Sequence, residues 1–169
     1  MNIELRDAVV EDYSRILAIN DAEVNHTSEM DAERLALLDH HSHYHKVAVA
    51  KGEVAAFLIA MRDNCGYKNH NYDWFASRYE QFLYVDRIVV SAAYVGLSIG
   101  SHLYRDLFNF ARSEEIPRIT CEYNVVPPNE PSRLFHNKFG FQEVGEQWLN
   151  EGAKKVSLQA ATCRLDELS

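Results

Sequence analysis

The chain of 169 residues has few of the residues that define specialised protein classes. Its three cysteines, Cys65, Cys121 and Cys163, are an odd number without a CxxC pair. This argues against a disulfide framework or a zinc ribbon and favours a reducing compartment. No apolar run approaches the roughly 18 residues of a membrane helix, and the charged start, Met1–Arg6, lacks a signal-peptide core. We therefore expect a cytoplasmic protein without a membrane partner.

Basic residues are also scarce. Lysine and arginine number 17 against 25 acidic residues, which gives a formal net charge of −8. Nucleic-acid binding requires neutralisation of phosphates, so we expect no nucleic-acid partner. The acidic balance favours cationic or amine ligands, although a need for solubility explains it equally well. Hydrophobic residues at 47% and charged residues at 25% are typical of a globular chain. With this length, they predict one domain over residues 1–169.

The chain contains only 7 glycines and 4 prolines, which excludes collagen-like and low-complexity architectures. The apolar pattern predicts elements in the order β-α-α-β-β-β-α-β-α-β-β, a mixed α/β fold. Residues 46–61 predict a hairpin, and residues 99–111 predict the longest helix. Residues 62–81 are predicted to form a long loop. Its aromatic side chains either line a pocket or close one end of the core.

A turn suited to phosphate joins the predicted strand 82–90 to the long helix. The start of a helix exposes unpaired amides and a partial positive charge, which attract phosphate. Gly96 allows backbone angles that other residues rarely adopt. Gly100 lowers the stability of a helix, so its presence there is best explained if another group approaches the backbone closely. The alternative is a loop glycine followed by a helix-packing glycine. A mononucleotide P-loop is excluded because Gly-Lys-Ser/Thr is absent.

This turn resembles the first motif of the GNAT superfamily of acyl-CoA-dependent N-acyltransferases, Arg/Gln-x-x-Gly-x-Gly/Ala after a strand that ends in valine. The matching positions are Val90, Gly96, Ile99, Gly100 and Leu103. The sequence departs from the motif at Val95, where Arg or Gln is usual, and at Ser98, where glycine is usual. Binding would therefore rest on backbone amides, and Ser98 would cap the helix. The resemblance implies acetyl-CoA as cosubstrate, held by Ile88, Val89, Val90, Val95, Gly96, Leu97, Ser98, Ile99, Gly100 and Ser101.

A second pattern spans residues 124–141. In GNAT enzymes an asparagine lies near a helix start, and the helix continues into Tyr-x-x-x-Gly-Phe; here His136 occupies the tyrosine position before Gly140-Phe141. The resemblance implies that Asn129 and Ser132 also contact the coenzyme. The run Pro-Pro-Asn-x-x-Ser resembles a bacterial branch of predicted acetyltransferases. Together the motifs imply a GNAT-like α/β fold: a mostly antiparallel sheet of about six to seven strands, splayed between the fourth and fifth and flanked by helices.

The resemblance implies direct attack of a primary amine on the thioester in a ternary complex. The amine belongs to a small molecule or is an exposed amino group. Such a reaction needs a donor for the departing thiolate. His136 is the expected general acid, because an imidazole with the ordinary pKa of about 6.5 can supply that proton. The alternative is a packed or surface histidine.

The general base is left open between two carboxylates. Asp86 lies four residues before Val90, so it is expected on the same strand face. Many relatives use an acidic residue on this strand, and Glu122 on the next strand is the competitor. Either carboxylate could instead form a structural ion pair with Arg87 or Arg118. The resemblance also implies that the backbone amide near Val90 holds the thioester carbonyl.

Two further groups of side chains complete the expectations. Tyr72, Trp74 and Phe75 are expected to bind the acceptor amine against their aromatic faces. His40, His41, His43 and His45 are possible metal ligands. A metal site would place His41, His43 and His45 on one face of an extended segment. We expect instead a solvated, pH-sensitive edge of the substrate opening and no bound metal.

Two other functions are compatible with the sequence. The first is a non-catalytic acyl-CoA-binding module with a degenerate site, and the second is a metalloprotein built on the histidine cluster. A homodimer is also compatible with the resemblance.

Overall fold

The computed structural model describes residues 2–25 and 27–163. In this part of the chain, seven strands form one sheet that is flanked by five α-helices. The elements are β1 Ile3–Asp7, α1 Tyr13–Ala22, α2 Ala32–His41, β2 Tyr44–Ala50, β3 Glu53–Arg62, α3 His70–Ala76, β4 Leu83–Val90, α4 Ile99–Ser113, β5 Arg118–Val126, α5 Glu130–Lys138, β6 Gln142–Leu149 and β7 Lys154–Thr162. The predicted order is confirmed with one addition, α3.

The strand order is β1-β2-β3-β4-β5-β7-β6. All neighbouring strands are antiparallel except β4 and β5, which are parallel. That parallel pair is joined only at Leu83–Ile119 and Tyr84–Thr120. Beyond these residues the two strands separate, while β3 continues to pair with β4 and β7 with β5. The predicted splay between the fourth and fifth strands is confirmed.

A hydrophobic layer covers each face of the sheet. On one face α4 packs through the predicted stripe that includes Leu103 and Leu107. On the other face lie side chains from α1, α2 and α3, including Ile16, Leu38 and Phe75. Because β3 is buried on both faces from residue 54 to residue 61, its sequence is apolar without alternation. The sheet is therefore the middle layer of three.

The aromatic segment before β4 belongs mainly to the core. Asn69 accepts a hydrogen bond from the Tyr72 amide over 2.6 Å and so begins α3, a helix within the predicted loop. Tyr72 and Phe75 are 4% and 0% exposed. Trp74 lies against Gly145 on β6, where a Cβ atom would be 2.4 Å from its ring. The structure therefore places these aromatic side chains in packing contacts and not on the wall of the cavity described below.

The four clustered histidines have separate surroundings. His40 and His41 end α2, so His41 does not share the extended face that a metal site would require. None of the four lines the cavity described below, which contradicts the expected place at the substrate opening. His45 Nδ1 lies 2.6 Å from Asp39, and His43 pairs with Glu114. Within residues 2–25 and 27–163, no three His, Cys, Asp or Glu side chains are arranged to hold a metal ion. The same residues contain no helix with the length and apolarity required to span a bilayer.

Adjacent leucines on α2 provide a matched test of the layered core. Leu38 is fully buried, whereas Leu37 is 44% exposed. We expect Leu38→Ala to lower the free energy of unfolding by about 2–5 kcal/mol, because it leaves a cavity. Leu37→Ala should change it by less than about 0.5 kcal/mol. Urea unfolding of both variants measures the difference, and equal losses would contradict the packing of α2.

Candidate active site

A cavity of about 730 Å³ opens where β4 and β5 separate. One side is lined by the beginning of α4 and by α5, and we call it the α4–α5 side. The other is lined by the segment before α2, by α2 itself and by the segment before α3, and we call it the α2 side. The inner wall is formed by residues 84–88 of β4 and 121–124 of β5. The cavity therefore passes through the sheet and reaches both layers.

The turn before α4 supplies backbone groups to the α4–α5 side. Gly96 has a φ of 88° and Ser98 a φ of 60°, so both adopt the left-handed conformation that favours glycine. Ser98 occupies the N-cap position, but its side chain makes no capping hydrogen bond, and the expected cap is wrong. The amides of the first turn of α4 have no partner within the helix. They are available to an anion in the cavity.

Most of the predicted coenzyme contacts line this cavity. Val89 and Leu97 do not: Val89 is buried in the core on the other face, and Leu97 is 40% exposed. The lining members of the predicted set are Ile88, Val90, Val95, Gly96, Ser98, Ile99, Gly100, Ser101, Asn129 and Ser132.

Gly100 is explained by packing between α4 and α5. A Cβ atom at this position would lie 3.2 Å from Phe135 Cζ. Of the two interpretations of this glycine, the helix-packing one fits the contact. The close approach of Phe135 brings the two sequence motifs together at one side of the cavity.

A β-bulge changes the direction of Asp86. The β3 residues opposite Val85 and Arg87 are adjacent in sequence, which leaves Asp86 as the extra residue on β4. Asp86 and Arg87 consequently share the α2 side, whereas Val90 packs on the α4–α5 side. The predicted common face of Asp86 and Val90 is therefore wrong.

Both oxygens of Asp86 are engaged. The Tyr67 hydroxyl donates to Oδ1 over 2.6 Å, and Arg87 Nε donates to Oδ2 over 2.8 Å. Arg87 also donates to Asn20 and Ser28 in the segments that cover the α2 side. This carboxylate fits the structural ion pair that the sequence left open.

Glu122 has a free carboxylate oxygen. Tyr84 and Asn71 donate to its Oε1 over 2.8 and 2.9 Å, and Gln147 holds the Asn71 side chain. Its Oε2 is buried without a hydrogen-bond partner among the described residues. Glu122 lines the cavity. The carboxylate is thus fixed by one oxygen and can accept a proton on the other.

The surroundings of Glu122 raise its pKa to about 8. Burial is the main cause, and the charge of Asp86 adds to it, while hydrogen bonds from Tyr84 and Asn71 and the charge of Lys154 oppose it. A proton acceptor works best when its pKa lies near the operating pH. Glu122 therefore suits a general base better than the fully paired Asp86.

His136 is 4% exposed and hydrogen-bonded at both nitrogens. Nδ1 lies 2.7 Å from the Ser132 carbonyl oxygen, so Nδ1 donates. Nε2 lies 2.7 Å from the Tyr104 hydroxyl and accepts a hydrogen bond from it. Burial lowers the pKa of His136 to about 4. At neutral pH the imidazole has no free N–H, and the geometry does not support the expected general acid.

Two further residues on the α4–α5 side of the cavity, Tyr123 and Lys138, were not predicted from the sequence. Tyr123 follows Glu122 on β5 and points to the opposite face; its hydroxyl accepts a hydrogen bond from Gln159 over 3.1 Å. Lys138 Nζ lies 3.3 Å from Ser101 Oγ in the first turn of α4. Lys138 places a positive charge near the turn where Val95 offers none. It lies three residues after Phe135, whose ring packs against Gly100 at the same turn.

The family profile described as Acetyltransferase (GNAT) family matches residues 4–141. The chain belongs to the GNAT acetyltransferase family. The match extends the sequence resemblance, which rested on residues 82–145, into the first half of the GNAT domain. A comparison with curated proteins finds no match.

Solved structures share the GNAT fold along nearly the whole chain. A structure of the ribosomal-protein-S18-alanine N-acetyltransferase from Escherichia coli has a TM-score of 0.74 at 12% identity, covering 97% of this chain and 96% of that one. An N-acetyltransferase from Staphylococcus aureus Mu50 has a TM-score of 0.73 at 22% identity, with 97% and 100% covered. Arabidopsis thaliana Naa50, in complex with the bisubstrate analogue CoA-Ac-MVNAL, has a TM-score of 0.71 at 16% identity, with 95% and 99% covered.

The raised pKa of Glu122 predicts how stability depends on pH. Between about pH 4.5 and 8 the folded protein keeps a proton on Glu122 that the unfolded chain has lost, so the free energy of unfolding falls as pH rises through this window. In the Glu122→Gln variant, the free energy of unfolding should lack the part of this decrease that Glu122 causes. Urea unfolding at several pH values, with exposed Glu80→Gln as control, measures the difference. Parallel curves for wild type and Glu122→Gln would contradict the assignment.

Proposed function

We propose that this GNAT protein is an N-acetyltransferase that uses acetyl-CoA to acetylate a primary amine, either of a small molecule or of an exposed amino group, by direct attack in a ternary complex. The observation that carries the proposal is the free Oε2 of Glu122 in a cavity shared with the amides at the start of α4. Proton acceptor and phosphate-binding groups thus open into one space. Family membership supports the same reaction.

The α4–α5 side would hold the coenzyme. The first-turn amides of α4 and the charge of Lys138 suit its pyrophosphate. The Asn129 side-chain oxygen accepts from the Ser132 amide over 3.3 Å, which leaves the Asn129 NH₂ group to bond the pantetheine arm. Beyond Tyr84, the edge of β4 that faces β5 has no strand partner within residues 2–25 and 27–163. Backbone amides there can donate to the thioester carbonyl and to the oxyanion formed from it.

Glu122 would act on the amine from the α2 side. Its Oε2 takes the proton, the amine nitrogen bonds to the thioester carbon, and the carbon–sulfur bond of the tetrahedral intermediate breaks. The products are an acetylated amine and coenzyme A. The carboxylates of Asp86 and Glu122 are held in place by hydrogen bonds from Tyr67, Asn71 and Tyr84. The acceptor would therefore bind against side chains that are already oriented.

Tyr123 is the proposed donor to the departing thiolate. It lines the cavity, and the hydrogen bond accepted from Gln159 leaves its hydroxyl proton available. Burial raises its pKa, which keeps it protonated at neutral pH. His136, by contrast, would position Tyr104 and α5.

A panel of primary amines with acetyl-CoA tests the proposed function. We expect thioester consumption with at least one amine, and a rise of kcat with pH through an apparent pKa near 8. Glu122→Gln should lower kcat by at least about 100-fold and leave coenzyme A affinity unchanged, because only the proton acceptor is lost. Glu143→Gln on β6 is the matched control. Coenzyme A binding without thioester consumption would favour the non-catalytic binding module, and absence of both would overturn the proposal.

Tyr123→Phe separates the proton donor from the base. We expect a fall in kcat of about 10- to 100-fold with coenzyme A affinity retained, because the thiolate leaves unprotonated. Tyr79→Phe, outside the cavity, should match wild type. A kcat of Tyr123→Phe equal to wild type would remove Tyr123 from the mechanism.

A further inference from the structure

Two cationic side chains on the α2 side of the cavity have no carboxylate partner among the described residues. Arg34 Nη2 donates to the Tyr67 hydroxyl over 3.1 Å, and the guanidinium lies 5.7 Å from that ring centre. Lys154 begins β7 and lines the cavity near Glu122, whose pKa it lowers. Neither side chain forms a salt bridge within residues 2–25 and 27–163. Most N–H groups of both cations are therefore available to a ligand.

The acidic groups nearby do not neutralise these cations. Asp86 uses both oxygens on Tyr67 and Arg87, so that its charge is balanced within the pair. Glu122 has a pKa near 8 and is largely protonated at neutral pH. The α2 side is consequently positive in a chain whose formal net charge is −8. A local charge opposite to that of the whole protein indicates an anionic ligand.

The coenzyme does not account for this charge. Val156, two residues after Lys154 and on the same strand face, packs in the core layer that contains Tyr67 and Tyr84. Arg34 reaches the same layer through Tyr67. The α4 amides and Lys138, which would hold the pyrophosphate, lie on the opposite side of the sheet. The two cations thus face the space left for the acceptor.

We propose that the acceptor is a compact amine carrying a carboxylate, such as a free α-amino acid, and that Arg34 and Lys154 bind this carboxylate while Glu122 faces the amine. The inference rests on the proposed function and narrows it to one acceptor class. The planar guanidinium of Arg34 matches a carboxylate through two parallel hydrogen bonds, and Lys154 adds a point charge. This proposal replaces the earlier expectation that the aromatic side chains of residues 72–75 bind a cationic amine, which was based on those aromatic residues and on the acidic net charge.

Matched acceptors test the anion requirement. L-alanine is compared with L-alaninamide, and O-phosphoethanolamine with ethanolamine, in thioester consumption with acetyl-CoA. The same four probes are titrated by calorimetry into protein saturated with coenzyme A. We expect L-alanine to exceed its amide by at least about tenfold in kcat/KM and in affinity, because the amide lacks the paired charge. O-phosphoethanolamine reports whether any anion suffices or a carboxylate is required.

Variants locate the effect. Arg34→Gln and Lys154→Met should each raise the KM and Kd of L-alanine about tenfold more than those of L-alaninamide, and should leave the affinity for coenzyme A unchanged. Arg34→Lys should recover part of the loss. Lys155→Met, which removes the neighbouring cation paired with Glu146, is the matched control. Lys138→Met should weaken coenzyme A alone.

The outcomes separate this inference from the proposed function. If no amine is acetylated but L-alanine still binds more tightly than its amide and Arg34→Gln removes the difference, the carboxylate site stands and the acetyltransferase proposal fails. If amines are acetylated but each charged probe and its neutral partner are equivalent in rate and affinity, the carboxylate site is overturned. A clear preference for O-phosphoethanolamine over L-alanine would also overturn it. Equal losses for both members of a pair in Arg34→Gln would show a structural role only.

Discussion

The short parallel contact between β4 and β5 is the constraint on which the rest of the structure depends. Only two residue pairs join these strands, so backbone groups that a longer ladder would occupy remain free inside the protein. Unpaired buried backbone groups are costly. The opening persists because β3 holds β4 and β7 holds β5 along their lengths. A cavity with polar walls can therefore cross the sheet without dividing the fold.

The two buried carboxylates differ because their neighbours differ. Asp86 stands at a bulge beside Arg87, and a tyrosine hydroxyl completes its hydrogen bonds. Glu122 receives only neutral donors on one oxygen. One carboxylate therefore joins β4 to the segments that cover the α2 side, and the other is left able to exchange a proton.

The elements that could be predicted from the sequence are those whose apolar pattern or turn residues lie within the element itself. The apolar stripe from Ile99 to Leu107 defined α4, and the glycine turn at residues 51–52 defined the β2–β3 hairpin. The family motifs predicted the splay and most of the wall contributed by α4 and α5. These features are set by local pattern or by short motifs.

The remaining features depend on contacts between distant segments. The bulge at Asp86 is defined by register against β3, and one extra residue reverses the face of every side chain before it. His136 occupies the tyrosine position of the motif, but burial lowers its pKa and its Nε2 is hydrogen-bonded to Tyr104 on another helix. Helix α3 was missed because its aromatic residues are stabilised by the sheet beneath them. Arg34 and Lys154 lie far apart in sequence, and only the fold brings them to one wall.

Gly100 and Phe135 illustrate how tightly the two halves of the site are joined. The phenylalanine ring fills the space that a methyl group at position 100 would need. A side chain at position 100 would require the Phe135 ring to shift by a few tenths of an ångström. A substitution in the phosphate turn would therefore be transmitted to α5, so that the two motifs do not vary independently.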